Sequence, residues 1–273
     1  MVSLSPRAHL VRANNPSPMT LSGTNTYIVA SADGKAVCID PGPPDETHVG
    51  AIMRALAQLN LELVAIAVTH GHPDHAPAAA MLSDATGVPA YGHARAEFPH
   101  SETLADNDIL QFGKARLRAV ETPGHTFDHL AFYLEDEQAL FTGDVVLGEG
   151  TVVIAPPEGA MRPYQATLER LARDFAHARK IYGGHGPPVD DPAAKLQKYI
   201  AHRQLREREI LTALERAPQT ILQLVARIYA NVDRVLWPAA ERQVLAYLMA
   251  LQDEWRVASI SDAQSGTRYV LIN

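Results

Sequence analysis

One run of seven residues constrains this chain more than any other: Thr69-His70-Gly71-His72-Pro73-Asp74-His75. It sets three imidazoles and a carboxylate within six residues, at the end of the apolar segment Leu63-Val-Ala-Ile-Ala-Val-Thr69. An unbroken apolar run of that length fits a strand buried on both faces, so the polar cluster lies at the strand's exit. Imidazole nitrogen and carboxylate oxygen are ligands that zinc prefers. Alternate residues of an extended segment point to opposite sides, so one strand cannot aim all four at one ion. A turn after the strand can divide them between two neighbouring ions.

Further donors recur at strand ends. His125 sits in Thr122-Pro-Gly-His-Thr, Asp144 in Phe141-Thr-Gly-Asp, and His185 in Tyr182-Gly-Gly-His-Gly-Pro. Each lies where a scaffold hands over to a loop, the usual place for binding residues. Of the 12 histidines, His9, His48, His100, His177 and His202 lie in charged or loop contexts and read as ordinary. His93 is intermediate. His129, four residues after His125 and beside Asp128, reads as an outer partner of a ligand or as facing substrate.

The chain around these residues alternates strand and helix patterns. Asn25–Ala30 and Lys35–Asp40 read as strands joined at Asp33-Gly34, a hairpin signal. Helical spacing appears over Val49–Leu59, Ala76–Ala85 and Gln165–Ala178, and shorter strands over 89–92, 115–120, 130–134, 139–143 and 180–184. This interleaving predicts an α/β layered domain over residues 1–192. After Pro187-Pro-Val-Asp-Asp-Pro192 the texture changes to a long charged helix over 193–215. A second helix follows, capped by Thr220, and a third with Pro238 in its first turn. Strands flanking Gln264-Ser-Gly end the chain. Three helices and a hairpin give the order of a winged-helix module over 193–273.

Composition narrows the classes. A single cysteine, Cys38, excludes a disulfide scaffold and any Cys-rich zinc module. No run approaches a membrane span, and the N-terminus has no apolar export segment, so a cytoplasmic protein with no membrane partner is expected. The net charge is −7, which argues against binding nucleic acid over the whole surface. The charge is uneven, with −10 on the first 194 residues and +3 on the last 79. The third helix carries Glu241, Asp253 and Glu254 against Arg242 alone before Arg256. A helix that reads DNA presents more cations to phosphates, so sequence-specific DNA binding is not expected.

As a set, His70-x-His72-x-Asp74-His75, His125, Asp144 and His185 resemble the five-part signature of the metallo-β-lactamase superfamily. Four further segments resemble its β-lactamase-like-protein-2 branch: Asn15–Tyr27, Phe141–Thr151, Gly184-His-Gly-Pro and Lys195–Arg203 with the tail that follows. The resemblance spans essentially the whole chain. It implies a four-layer αββα sandwich with a binuclear zinc site at one edge. In that pattern His70, His72 and His125 hold one metal, Asp74, His75 and His185 the other, and Asp144 bridges them. Iron and manganese also use such His/Asp sites. Asp40, in Ile39-Asp-Pro-Gly, matches the aspartate that orients a ligand imidazole, and Thr24, Asn25 and Thr26 match a loop bordering the site.

The implied chemistry is hydrolysis by a metal-bridging hydroxide, with Asp74 and Asp144 as catalytic carboxylates. No Ser or Cys nucleophile is required, and no Gly-x-Ser-x-Gly elbow is present. The branch includes endoribonucleases acting on single-stranded RNA. Related branches hydrolyse small-molecule thioesters, lactones and lactams, which is the alternative reading here. The oligomeric state is left open.

Overall fold

The computed structural model describes residues 1–262 and 266–272. The chain forms two compact units. The first comprises Met1–Pro123, Phe127–Val152 and Phe175–Ala193; the second comprises Gly124–Thr126, Val153–Asp174 and Ala194–Asn273.

The first unit contains two sheets. One has seven strands in the order β1 (Val2–Ser3), β2 (Ala8–Arg12), β3 (Asn25–Ala30), β4 (Lys35–Ile39), β5 (Glu62–Ala67), β6 (Ala90–His93) and β7 (Glu102–Leu104). β1 to β4 pair antiparallel, and β4 to β7 parallel. The second sheet runs β12 (Lys180–Gly183), β11 (Ala139–Gly143), β10 (Leu130–Leu134), β9 (Ala115–Glu121), β8 (Ile109–Phe112). Here β8 to β11 form an antiparallel meander, and β12 joins β11 in parallel.

The two-residue period of the strands builds two cores. Tyr27, Val29, Ala65 and Ala67 meet Leu117, Leu130, Phe132 and Phe141 of the second sheet. Their neighbours Ile28, Ile66 and Val68 point the other way, onto Ile52 and Leu56 of α1 (Glu46–Gln58) and Leu82 of α2 (Ala78–Thr86). The run expected to be buried on both faces is therefore shared between both cores. Removing one such side chain from water contributes about 1.5–3 kcal/mol.

Helix α1 starts three residues before its expected first residue. Asp45 accepts a hydrogen bond from Thr47 N at 2.8 Å and caps the first turn, which the apolar spacing does not mark. Strands β1, β2, β7 and β8 lie outside the anticipated set. They are two to five residues long, and His9, Glu102, Thr103 and Gln111 break the apolar runs of β2, β7 and β8.

In the second unit, α3 spans Met161–Asp174 rather than 165–178. Pro163 fits its first turn, and Phe175, beyond its end, already belongs to the first unit, where its ring centroid lies 4.9 Å from that of Tyr133. Next come α4 (Pro192–Arg216), α5 (Ile221–Ile228) and α6 (Trp237–Asp253). Thr220 caps α5 in a reciprocal capping box with Gln223, and Pro238 lies in the first turn of α6. β13 (Val257–Asp262) and β14 (Gly266–Leu271) pair antiparallel. Gln219 adds a bridge to Tyr269, with N–O distances of 3.1 and 2.8 Å. The expected Gln264-Ser265 turn lies outside the described residues. No described helix is long and apolar enough to cross a membrane.

Candidate metal centre

The chemistry-bearing side chains of the first unit leave the carboxyl ends of parallel strands, where open α/β sheets place ligands. Asp40 follows β4 and Thr69 follows β5, and Asp40 N donates to Ala67 O at 3.0 Å. Asp40 adopts a left-handed φ of 51°. Its Oδ1 accepts from Thr69 N at 2.7 Å; its Oδ2 accepts from Thr69 Oγ1 at 2.8 Å and from His75 Nδ1 at 2.9 Å. Thr69 has one hydroxyl proton, already given to Asp40, so His70 Nδ1 donates to Thr69 Oγ1 at 2.9 Å. Both imidazoles are thereby held as the tautomer with a lone pair on Nε2. His75 Nε2 is buried without a hydrogen-bond partner, an arrangement that costs about 1–3 kcal/mol unless a ligand meets it.

The segment after β5 turns. His75 N and Ala76 N both donate to His72 O, at 3.0 and 3.1 Å. This turn divides the donors as their alternation required. His70, His72 and Asp144 offer atoms within 4.8 Å of one another, and so do Asp74, His75 and His185. Asp144 reaches the second group as well: its oxygens lie 3.5 Å from His75 Nε2 and 3.4 Å from His185 Nε2. Asp74 Oδ2 lies 3.4 and 3.3 Å from the same two nitrogens.

Strand β3 organises the surroundings. Asn25 Nδ2 donates to Gly183 O and Gly186 O at 3.0 and 2.9 Å, and Tyr27 Oη donates to Gly183 O at 2.7 Å. These bonds hold the loop that carries His185. A Cβ on Gly184 would stand 2.4 Å from Asp144 Oδ1 and 2.6 Å from His75 Cε1, so a side chain there would enter the donor cluster. Behind Asp144, its backbone N donates to His129 Nε2 at 3.2 Å, and His129 Nδ1 meets Thr122 Oγ1 at 2.8 Å. The His129 ring stacks on His70 at 4.8 Å. With its Nε2 lone pair turned to Asp144 N, His129 stands as a support for the donors.

The electrostatics are those of a site built for cations. Burial opposes charge on His75, but Asp144, Asp74 and Asp40 outweigh it and raise its pKa to about 9. Burial likewise opposes charge on His185, and Asp144 and Asp74 lift it to about 10. Burial would raise Asp74, yet His75 and His185 hold it down to about 2. The carboxylates thus draw protons onto nitrogens that a metal ion would claim, and metal uptake must displace them. Buried tautomer-fixed nitrogens beside paired carboxylates fit a divalent cation.

His125 lies on the short 124–126 segment of the second unit. Its Nδ1 donates to Val153 O at 3.0 Å, again leaving the lone pair on Nε2. His93, by contrast, accepts from Arg95 N and faces Glu121, and it belongs to neither donor group. His48, read as ordinary, is buried: its Nε2 meets Thr26 Oγ1 at 2.8 Å. Burial lowers its pKa against an opposing pull from Asp45. Thr69, Tyr27 and His48 are the parts that sequence reasoning missed, and each is an ordinary core residue type until its partner is known.

A family model of the metallo-β-lactamase superfamily matches residues 19–185, and one of the β-lactamase-associated winged helix domain matches residues 220–266. A β-lactamase-like protein 2 homolog from Caenorhabditis elegans is 34% identical over 91% of this chain and 85% of its own length. An atrochrysone carboxyl ACP thioesterase from Aspergillus chevalieri is 31% identical over 93% of this chain and 84% of its own. Among solved structures, a metallo-β-lactamase family protein from Thermus thermophilus covers 99% of this chain and 100% of its own, with a TM-score of 0.81 at 24% identity. A β-lactamase domain protein from Burkholderia ambifaria covers 99% of this chain and 93% of its own, with a TM-score of 0.83 at 20% identity. The fold is the α/β sandwich with a C-terminal winged helix that the sequence led one to expect.

Proposed function

Because the chain belongs to the metallo-β-lactamase superfamily, we propose that it is a binuclear zinc hydrolase whose substrate is an acyl thioester. The observation that carries the metal reading is the pair of donor groups sharing Asp144, with His70 and His75 held as Nε2 ligands by the Asp40–Thr69 network. His125, fixed in the same tautomer by Val153, supplies the third imidazole of the first ion. Two ions bound there supply Lewis acidity and lower the pKa of a bound water to about 7.

The protein's residues then divide the work. Asp144, which belongs to the first donor group and turns its oxygens to His75 and His185 of the second, is the carboxylate that would serve both ions. Asp74 has 24% of its side chain exposed against 10% for Asp144, so it is the carboxylate placed to orient an incoming water. Thr24 Oγ1 donates to Asp74 Oδ2 at 2.9 Å and fixes that oxygen. His129 is spoken for by Asp144 N, so the leaving group takes its proton from elsewhere.

The thioester reading is supported by the relative named as an ACP thioesterase and aligned over 93% of this chain. The −10 carried by the first 194 residues also disfavours a polyanion. One observation favours the second reading, single-stranded RNA: the +3 of the last 79 residues, in a chain similar to β-lactamase-like protein 2 homologs. Sequence-specific DNA reading has no support in α6, where Arg242 is tied to Pro156 O at 3.0 Å. We keep 1–192 as the catalytic part and 193–273 as the winged-helix part.

The test is a paired assay on metal-analysed protein, with Asp144→Ala as control. Wild-type-only turnover of acyl thioesters with RNA left intact is the expected result. Wild-type-only cleavage of single-stranded RNA, weakening with salt, overturns the thioester reading. No turnover of either by fully metallated protein overturns both.

A further inference from the structure

Beyond the donors, a set of neutral side chains at the entrance of β3 converges on the second donor group. His48, on the first turn of α1, is 4% exposed. Thr26 Oγ1 donates to the Asp40 carbonyl at 2.6 Å, and His48 Nε2 lies 2.8 Å from Thr26 Oγ1. A hydroxyl has one proton, so His48 is the donor in that second bond. The room for its ring comes from Gly42, where a Cβ would lie 3.0 Å from His48 Cδ2. The carbonyl so held belongs to a residue at φ 51°, an uncommon conformation for aspartate. That residue's carboxylate in turn grips His75 Nδ1 at 2.9 Å.

Two positions earlier stands Thr24. Its hydroxyl donates to Asp74 Oδ2 at 2.9 Å while accepting from Asn15 Nδ2 at 2.9 Å, and its backbone N donates to Asn15 Oδ1 at 2.9 Å. Residues two apart on a strand share a face. Thr24, bridged to His185 just before β3, and Thr26, within β3, therefore set from one side of an extended segment the carboxylate of Asp74 and, through Asp40, the ring of His75. In each case a neighbouring amide or imidazole N–H occupies the threonine's acceptor side and leaves its proton for the aspartate.

We propose that Thr24 and Thr26 are positioning residues for the Asp74–His75–His185 metal group, with Asn15 and His48 directing their hydroxyl protons. The inference rests on the reading of that group as a metal site. Outer partners of metal ligands change affinity by about 10–100-fold when removed.

The test is zinc affinity by chelator competition, which needs no substrate. Thr26→Val and His48→Leu would be made in a His72→Ala background, where the second group is the intact one, and in a His75→Ala background, where the first is. Loss of about 10–100-fold in the first background and less than about threefold in the second is the expected result. Thr24→Val should behave alike, and Thr24→Ser and His48→Gln, which keep the donors, should restore affinity to within about threefold of their parent. Thermal melts of the chelated proteins verify that each variant is folded. Unchanged affinity in the first background, equal losses in both, or no rescue by the conservative variants would overturn the proposal while leaving the metal reading in place. A wild-type protein that takes up no zinc would overturn the metal reading, and this proposal with it.

Discussion

Replacing Asp40 by asparagine isolates the one interaction on which the tautomers of the centre depend. The side chain is isosteric, and asparagine tolerates the left-handed φ of 51° at least as well as aspartate does. The amide oxygen can still accept from Thr69 N, now at 2.7 Å. The amide nitrogen in that orientation faces two donors, Thr69 Oγ1–H and His75 Nδ1–H, and in the flipped one it faces Thr69 N–H. The threonine hydroxyl can rotate and accept instead. The imidazole escapes only by moving its proton to Nε2, which then offers the centre a hydrogen where a metal needs a lone pair. Restoring the ligand tautomer leaves two buried donors opposed, at about 1–3 kcal/mol. That matches the loss of about 10–100-fold in metal affinity seen when outer partners are removed. Chelator competition should therefore show one zinc weakened by that factor and the other near its wild-type affinity. Two ions bound as tightly as in the wild type would refute the tautomer argument. Equal weakening of both would show that Asp40 acts through Thr69 on His70 as strongly as on His75.

Four further outcomes follow from the same structure. Asp144→Ala removes the carboxylate shared by both groups; metal analysis should show fewer than two ions, with activity reduced by at least about 100-fold, and full activity in a metal-verified variant would sink the assignment. His72→Ala should lose one ion while the other persists. Ile52→Ala empties a fully buried site between α1 and the sheet; denaturant titration should register a loss of about 2–5 kcal/mol with metal stoichiometry unchanged. His202 on α4 is held down to about 4, chiefly by burial and then by Arg203, Arg206 and Lys198. Between its ordinary 6.5 and 4 the unfolded chain binds a proton that the folded chain refuses. Stability should fall as pH drops through that window, and His202→Gln should flatten the dependence in pH-resolved melts.

The donors were legible because metal chemistry demands scarce residue types in a place that sequence can mark. Three imidazoles and a carboxylate after an apolar run have no cheap alternative use, and Asp144 and His185 announce themselves by the glycines that clear space around them. The hydroxyl supports were legible only as part of a loop that the resemblance sets beside the site, and their roles were hidden for the opposite reason. Threonine is a common strand residue, and nothing local distinguishes Thr24 and Thr26 from strand formers. Their meaning comes from pairing: β3 runs beside β4, with Tyr27 opposite Ile39, and only that register sets Thr26 against the Asp40 carbonyl. His48 is the instructive case between these two. Its place after a loop rich in proline makes it look ordinary, yet it stands four residues before Ile52 and eight before Leu56, on the stripe that identifies the helix. A histidine on a buried stripe must find a hydrogen-bond partner or carry the cost of an orphaned N–H. The helix it begins packs on the sheet whose strand ends carry Asp40 and the His70–His75 turn, so the partner it finds is part of the site's support. Periodicity singles out His48 only once the Asp45 cap extends the helix back to Glu46, past the Val49 at which the apolar spacing begins.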